Sequence, residues 1–183
     1  MKVLIACEFS GIVREAFTRQ GHYAVSCDLL PTEIEGNHIV GDVRNILNDG
    51  WDMMICFPSC QHLAVSGARW FKEKRSDGRQ QEALEFVQTL LDAPIEKIAL
   101  ENPVSVISTY VRKASQYIQP WEFGHGETKK TGLWLKNLPL LQPTNIVEGR
   151  EARVHRMAPS DHRWADRSRT YNGVAEAMAM QWG

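Results

Sequence analysis

No run of apolar residues in this 183-residue chain approaches the length, about 18, that a helix needs to cross a bilayer. A membrane partner is therefore not expected. The opening "MKVLIACEFSG" has a single Lys and a short apolar run, but it carries Glu8 and lacks a small-residue cleavage site, so it does not read as an export signal. The four cysteines, Cys7, Cys27, Cys56 and Cys60, form no CxxC pair. With no export signal they read as reduced thiols in a cytoplasmic setting. Cys56, Cys60 and His62 match no common zinc spacing, and no metal is expected. Charge of one sign is also missing: the formal net charge is −1, so the chain as a whole does not advertise nucleic acid. There is no GxGxxG, since Gly11 stands alone in the first turn, and a dinucleotide with its pyrophosphate has little support. Internal repeats and low-complexity tracts are absent too.

What is present is the composition of an ordinary globular domain, 43% hydrophobic and 23% charged. Short apolar runs alternate with helical patterns, as in a parallel sheet with crossover helices. "KVLIAC" (2–7), "YAVSCDL" (23–29), "HIVGDV" (38–43), "WDMMICF" (51–57), "KIALEN" (97–102) and "TGLWLKN" (131–137) read as strands. "GIVREAFTRQG" (11–21), "QQEALEFVQTLLDA" (80–93) and "GVAEAMAMQW" (173–182) read as helices. Residues 138–170 are rich in Pro and Arg and lose all periodicity, which predicts an extended connection. The fold class is α/β, one Rossmann-like, doubly wound domain over 1–183.

Ligands of open α/β sheets bind beyond the carboxyl ends of the strands. Four polar features fall there: "CEFSG" after the first strand, Asp28 at the end of the second, and Cys60 and Glu101 after two later apolar strands. A small-residue turn admits a ligand to the backbone, and an acid one strand along can accept ribose hydroxyls. A lone Gly11 is equally consistent with a plain turn. Cys60 is either an inert thiol or a nucleophile; Pro58, which helps end the strand, puts it at a mouth rather than in the core. Glu101 is either a desolvated acid able to hold a proton or, with Asn102, the cap of a following helix. Two segments are locally basic. Residues 69–79 hold five basic and two acidic residues, and 149–170 hold six Arg against three acids, plus His155 and His162. Each cluster suits either phosphates or solvent.

Taken together, these features resemble the DNA cytosine-5 methyltransferases. Phe9, Ser10 and Gly11 in "CEFSG" are similar to that family's AdoMet loop, Asp28 falls at its ribose-binding acid, and "GDV" puts Asp42 where an Asp contacts the adenine amino group. "FPSCQHLAVSG" resembles the Pro-Cys-Gln loop, with Pro58, Cys60, Gln61 and Ser66, and "LENPVSV" resembles Glu-Asn-Val at Glu101 and Asn102. The motifs keep the family's order over residues 3–108. The resemblance implies S-adenosyl-L-methionine (AdoMet) as methyl donor, no metal, and DNA as partner. It implies Cys60 adding to cytosine C6, with Glu101 donating to N3, on a base flipped out of the helix. A mobile basic stretch after Cys60, including Arg69, would close over the site and meet phosphates.

The chain departs from the family in five places. Ser59 separates Pro58 from Cys60, and Pro103 stands for the Val of Glu-Asn-Val. No Gln-x-Arg-x-Arg motif is present; "TKKTGLWL" lies in its place, so Lys129 or Lys130 takes the role of the ring-holding Arg. Asn172-Gly173 inverts the family's closing Gly-Asn motif. Residues 138–170, with Arg150 and Arg153 as phosphate contacts, replace a full target-recognition domain. That brevity implies low sequence specificity, a partner protein that supplies it, or a reduced substrate, as in compact phage and prophage members. Alternative readings are an inactive AdoMet- or nucleic-acid-binding protein, a methyltransferase of RNA or a free nucleotide, and an unrelated nucleotide-binding domain.

Overall fold

The structure, a computed structural model, describes every residue except Pro159 and His162, and the side chain of His155 is likewise outside the described residues. The two histidines of the second basic cluster therefore have no structural account. Seven strands form one sheet: β1 (Lys2–Ala6), β2 (Tyr23–Asp28), β3 (His38–Val40), β4 (Met53–Cys56), β5 (Lys97–Pro103), β6 (Gln116–Ile118) and β7 (Thr131–Lys136). Their order is β3-β2-β1-β4-β5-β7-β6. The order reverses between β1 and β4, which makes that crevice the switch point of a doubly wound sheet.

The apolar runs form strands buried on both faces because each face receives its own helices. Val3 and Ile5 point to one side, where they pack with Val13 and Phe17 of α1 (Ile12–Arg19) and Val174, Met178 and Trp182 of α7 (Asn172–Trp182). Leu4 and Ala6 point to the other, against Leu84, Val87 and Leu90 of α3 (Arg79–Leu91). The alternation follows from the two-residue period of a strand.

All nine elements read from the sequence are present. One expectation needs correcting: the sheet is mixed. β7 runs antiparallel to β5, and β6 antiparallel to β7. The turn Pro120–Glu122 and the loop after it bring the chain back beside β5 without a crossover helix, so no parallel connection is available. The stretch after Cys60 also has regular structure, a 3-10 segment Val65–Trp70 followed by α2 (Phe71–Ser76). A third short helix, α4 (Ile107–Tyr110), follows β5.

Residues 138–170 are not a free connection. Asn145 lies beside Phe123 and Glu151 beside Glu127, each as a parallel bridge. Backbone bonds from Gly124 to Asn145 (2.7 Å), Val147 to Trp121 (3.0 Å) and Thr128 to Glu151 (2.9 Å) hold the segment along 121–128. Two short helices follow, α5 (Arg153–Arg156) and α6 (Arg163–Ser168).

The first turn is organised by a buried Arg14, whose side chain has almost no exposure. Its Nε donates to Glu15 (3.2 Å), one terminal nitrogen to Ser26 (3.1 Å) and Thr32 (3.2 Å), and the other to the carbonyls of Ile34 (2.6 Å) and Glu35 (3.2 Å). All five guanidinium donors are thus satisfied, which is the condition for burying this group. The guanidinium passes under Gly11, which has φ +79°; a Cβ there would lie 2.8 Å from an Arg14 nitrogen. Glycine is required on both counts. Arg14→Lys keeps the charge but loses the fork and leaves several acceptors unpaired. It is expected to lower stability in urea unfolding by about 3 kcal/mol; an unchanged midpoint would contradict the account.

Candidate active site

Parallel register sets the carboxyl edge of the sheet. Ala6 pairs with Cys27 on one side and Cys56 on the other, and Cys56 pairs with Leu100. The residues next in sequence, Cys7, Asp28, Phe57 and Glu101, therefore sit level along one edge. Cys7 turns the chain there with φ 58°, a left-handed conformation uncommon outside glycine. Its backbone N–H, donated to the Cys27 carbonyl at 2.7 Å, holds it so. Asp28 and Asp42 both push the Cys7 and Cys27 thiols up, after burial, and Cys7 reaches about 12. The two carboxylates thus act on one locale.

On this half of the edge the predicted cofactor residues divide. Asp28 accepts one bond, from the Leu30 N–H at 3.0 Å, on one oxygen. Its second oxygen has no partner among the described residues. Asp42 caps the turn Val43–Ile46 and is held by Arg44, both oxygens accepting from its guanidinium; that hydrogen bond lowers the Asp42 pKa. Ser10 is buried, donates to Glu8 (3.0 Å) and accepts from the Ile12 N–H (3.3 Å). Gly11 is the left-handed cap of α1. Phe9 packs on Trp164 of α6, ring centroids 5.6 Å apart.

On the other half, Cys60 follows β4 and Glu101 lies within β5. Glu101 and Asn102 are strand residues, and α4 begins later with Val106 as its cap, so neither caps a helix. Asn102 is buried and donates its amide to the Pro58 carbonyl at 2.9 Å. It therefore fixes the proline backbone just ahead of the thiol. The Cys60 carbonyl accepts from Leu63 (3.0 Å) and Ala64 (2.9 Å), and Lys74 donates to the Gln61 carbonyl. Gln80 donates to the His62 carbonyl at 3.1 Å. These bonds tie the loop to α2 and α3.

Cys60 is the one exposed cysteine. Although it reaches solvent, protein lies densely around it, and burial raises its pKa, followed by the Glu101 charge; Lys129 and Arg167 pull it down. Burial likewise raises Glu101, with Lys129 and the Thr131 hydroxyl opposing. Cys60, Glu101, Lys129 and Arg167 therefore share one electrostatic site. Glu101, Lys129, Thr131 and Tyr171 line a small cavity of about 20 Å³, space for about one water.

Of the two lysines offered for the ring-holding role, Lys129 is at the site, its ammonium donating to the Arg167 carbonyl at 2.8 Å. Lys130 is directed elsewhere, over the Tyr117 ring at 4.8 Å. Arg150 stacks on Trp121 at 3.9 Å and donates to the Val147, Glu148 and Gly149 carbonyls. Arg153 pairs with Glu127 at 2.9 Å. Both are engaged in holding the 144–153 segment. Arg69, Gln61 and Ser66 remain exposed beside the thiol loop.

Sequence reading missed Glu8, a buried carboxylate that accepts from the Val13 N–H (2.7 Å) and the Arg14 N–H (3.4 Å) and so caps α1 from within the first turn. It also missed Arg167, which no periodicity marks. Tyr171 escaped notice as well; its hydroxyl donates to Glu127 at 2.7 Å, bracing the start of α7 beside the cavity.

Burial of Cys60, followed by the Glu101 charge, sets the direction of its pKa. A thiol raised in pKa becomes nucleophilic only as pH rises, since the thiolate is the reactive form. Alkylation of Cys60 by iodoacetamide, followed by mass spectrometry of its peptide, is expected to have a midpoint above the ordinary thiol value. Lys129→Met should move it up and Glu101→Gln down. A midpoint indifferent to both changes would contradict the shared site.

No family model matches the chain, and no curated protein matches it. Among solved structures it is similar to the crystal structure of a candidate DNA modification methyltransferase encoded within a prophage of E. coli. The TM-score is 0.52 at 15% identity, over 79% of this chain and 51% of that one. The chain thus spans about half the length of that neighbour, with which it shares the Rossmann-like α/β fold.

Proposed function

We propose that the chain transfers a methyl group from AdoMet to C5 of cytosine in DNA. The observation that carries this reading is the pairing of an accessible thiol with a desolvated carboxyl on adjacent strand ends, at the switch-point side of the sheet. The donor set at the other end suits the cofactor: Asp28 has an oxygen free for a ribose diol, while Asp42 would have to share its carboxylate with Arg44. Phe9 and the Gly11 turn would complete that half. Bound there, AdoMet would supply an electrophilic methyl group.

Cytosine C5 is too weak a nucleophile to take a methyl group unaided. The Cys60 thiolate adds to C6, forming an S–C6 bond and moving an electron pair to C5. Glu101, its pKa raised by burial, would donate a proton to N3 and stabilise the charge that develops on the ring. Lys129, close to both groups, favours the thiolate and neutralises the carboxylate left after proton donation. With that pair C5 would take the methyl group, the donor's S–CH3 bond breaking. As water takes the C5 proton, the C5–H pair re-forms the C5–C6 bond, the S–C6 pair leaves with the Cys60 thiolate, and the N3 proton returns to Glu101. Asn102 acts at one remove, by holding the Pro58 backbone from which the thiol is presented.

The same pair supports the enzyme over an inactive binding protein, because a site that only binds has no use for an exposed thiol against a raised acid. The compact arm at 144–153 is consistent with a partner protein supplying sequence choice.

A fluorine at C5 cannot leave as the proton does, so a 5-fluorocytosine substrate should stop at the covalent stage. Incubation of the protein and AdoMet with a 5-fluorocytosine oligonucleotide is expected to give a denaturation-resistant adduct mapped to Cys60. Cys60→Ala should abolish it, and Glu101→Gln should slow it by about 10²–10⁴-fold. An adduct that survives Cys60→Ala, or no adduct in protein shown to bind AdoMet, would overturn the proposal.

A further inference from the structure

The segment Val65–Trp70 buries none of its side chains. Trp70 is half exposed, and Val65 nearly so. The Arg69 guanidinium lies over the Trp70 ring, 5.1 Å from its centroid. A large aromatic left outside the core, with a cation on one face, is the composition of a base-stacking surface.

The two acids of this stretch share a single partner. Glu73 and Asp77 both pair with Arg79, and Lys74 is buried against the Gln61 carbonyl. Among the described residues, Arg69, Lys72 and Arg75 have no carboxylate within ion-pair distance, and all three are exposed. The surface next to the thiol loop thus presents three uncompensated positive charges and one aromatic.

This surface is fixed relative to Cys60. The Val65 N–H donates to the Val104 carbonyl at 3.0 Å, and Ala64 bridges to Ser105 just beyond β5. Lys74 and Gln80 bind the carbonyls of Gln61 and His62, the two residues after the thiol. What docks on Trp70 is therefore held at a set position from the nucleophile.

We propose that Arg69, Trp70, Lys72 and Arg75 form a platform for a single-stranded polynucleotide, Trp70 stacking on a base that neighbours the one presented to Cys60. The proposal rests on the reading of Cys60 as acting on a polynucleotide base. Single strands are favoured because an exposed aromatic face needs an unstacked base, whereas reading a duplex needs an element laid in a groove. The 144–153 arm is tied along 121–128, and its Arg150 and Arg153 are occupied. DNA and RNA share the chemistry that Trp70 would meet, phosphates and a base face.

Fluorescence anisotropy with the full chain tests this, using fluorescein-labelled 20-mers of single-stranded DNA, single-stranded RNA and duplex DNA at several salt concentrations. Single strands are expected to bind more tightly than duplex, and Trp70→Ala to weaken them by about tenfold or more, with Trp70→Phe retaining most of the affinity. Changing Arg69, Lys72 and Arg75 together to Ser should flatten the salt dependence by about 2 in log–log slope. The DNA and RNA arms show which backbone is preferred. Single-strand affinity indifferent to Trp70→Ala, or duplex bound more tightly than single strands, overturns the platform. Trapping on 5-fluorocytosine, run on the same variants, separates the two readings. Trapping without a Trp70 effect removes the platform and leaves the chemistry; a Trp70 effect without trapping does the reverse.

Discussion

The register of four parallel strands is the constraint from which the site follows. With Ala6 locked between Cys27 and Cys56, and Cys56 against Leu100, the next residue on each strand has only one level to occupy. A slip of one residue in any of them would turn its apolar set from one helix layer to the other, so burial on both faces enforces the alignment. Asp28 and Glu101 thus come to the same edge without touching, and the reversal between β1 and β4 opens the crevice where loops can carry Cys60 and Gly11. Chemistry is assembled here by backbone pairing; the side chains inherit their positions.

Burial of polar groups then sharpens those positions. Glu8 and Arg14 are both removed from water, and each is satisfied by bonds that fix the first turn: Glu8 caps α1, and Arg14 ties that helix to residues 32–35. Across the crevice, Asn102 does for the Pro58 backbone what Arg14 does for the turn. At the edge itself the balance differs. Burial raises the pKa of both Cys60 and Glu101, the Glu101 charge raises Cys60 further, and the Lys129 charge opposes both.

Much of this was legible in the sequence because strand burial leaves long apolar runs. "KVLIAC", "WDMMICF" and "KIALEN" read as buried strands, and the ends of the last two name Cys60 and Glu101 as candidates. The direction of β7 was not legible, since "TGLWLKN" has the same apolar pattern whichever way it runs. The three-residue β6 is too short for any period. Lys129 and Lys130 are adjacent and identical in type, and only tertiary packing separates them: one meets the Arg167 carbonyl, the other the Tyr117 ring. Composition leaves the arginines of 149–170 open to phosphates or solvent; in the fold Arg150 and Arg153 are held by Trp121 and Glu127. Conversely, Glu73 and Asp77 both pair with Arg79, so among the described residues Arg69, Lys72 and Arg75 carry no ion pair, which a count of charges does not show.

The most direct measurement is transfer of a labelled methyl group from AdoMet to unmethylated single- and double-stranded DNA, with digestion to nucleosides to locate the label. The account predicts label on cytosine C5 with the native chain and none with Cys60→Ala. Label on another atom, or label that persists without the Cys60 thiol, would contradict it.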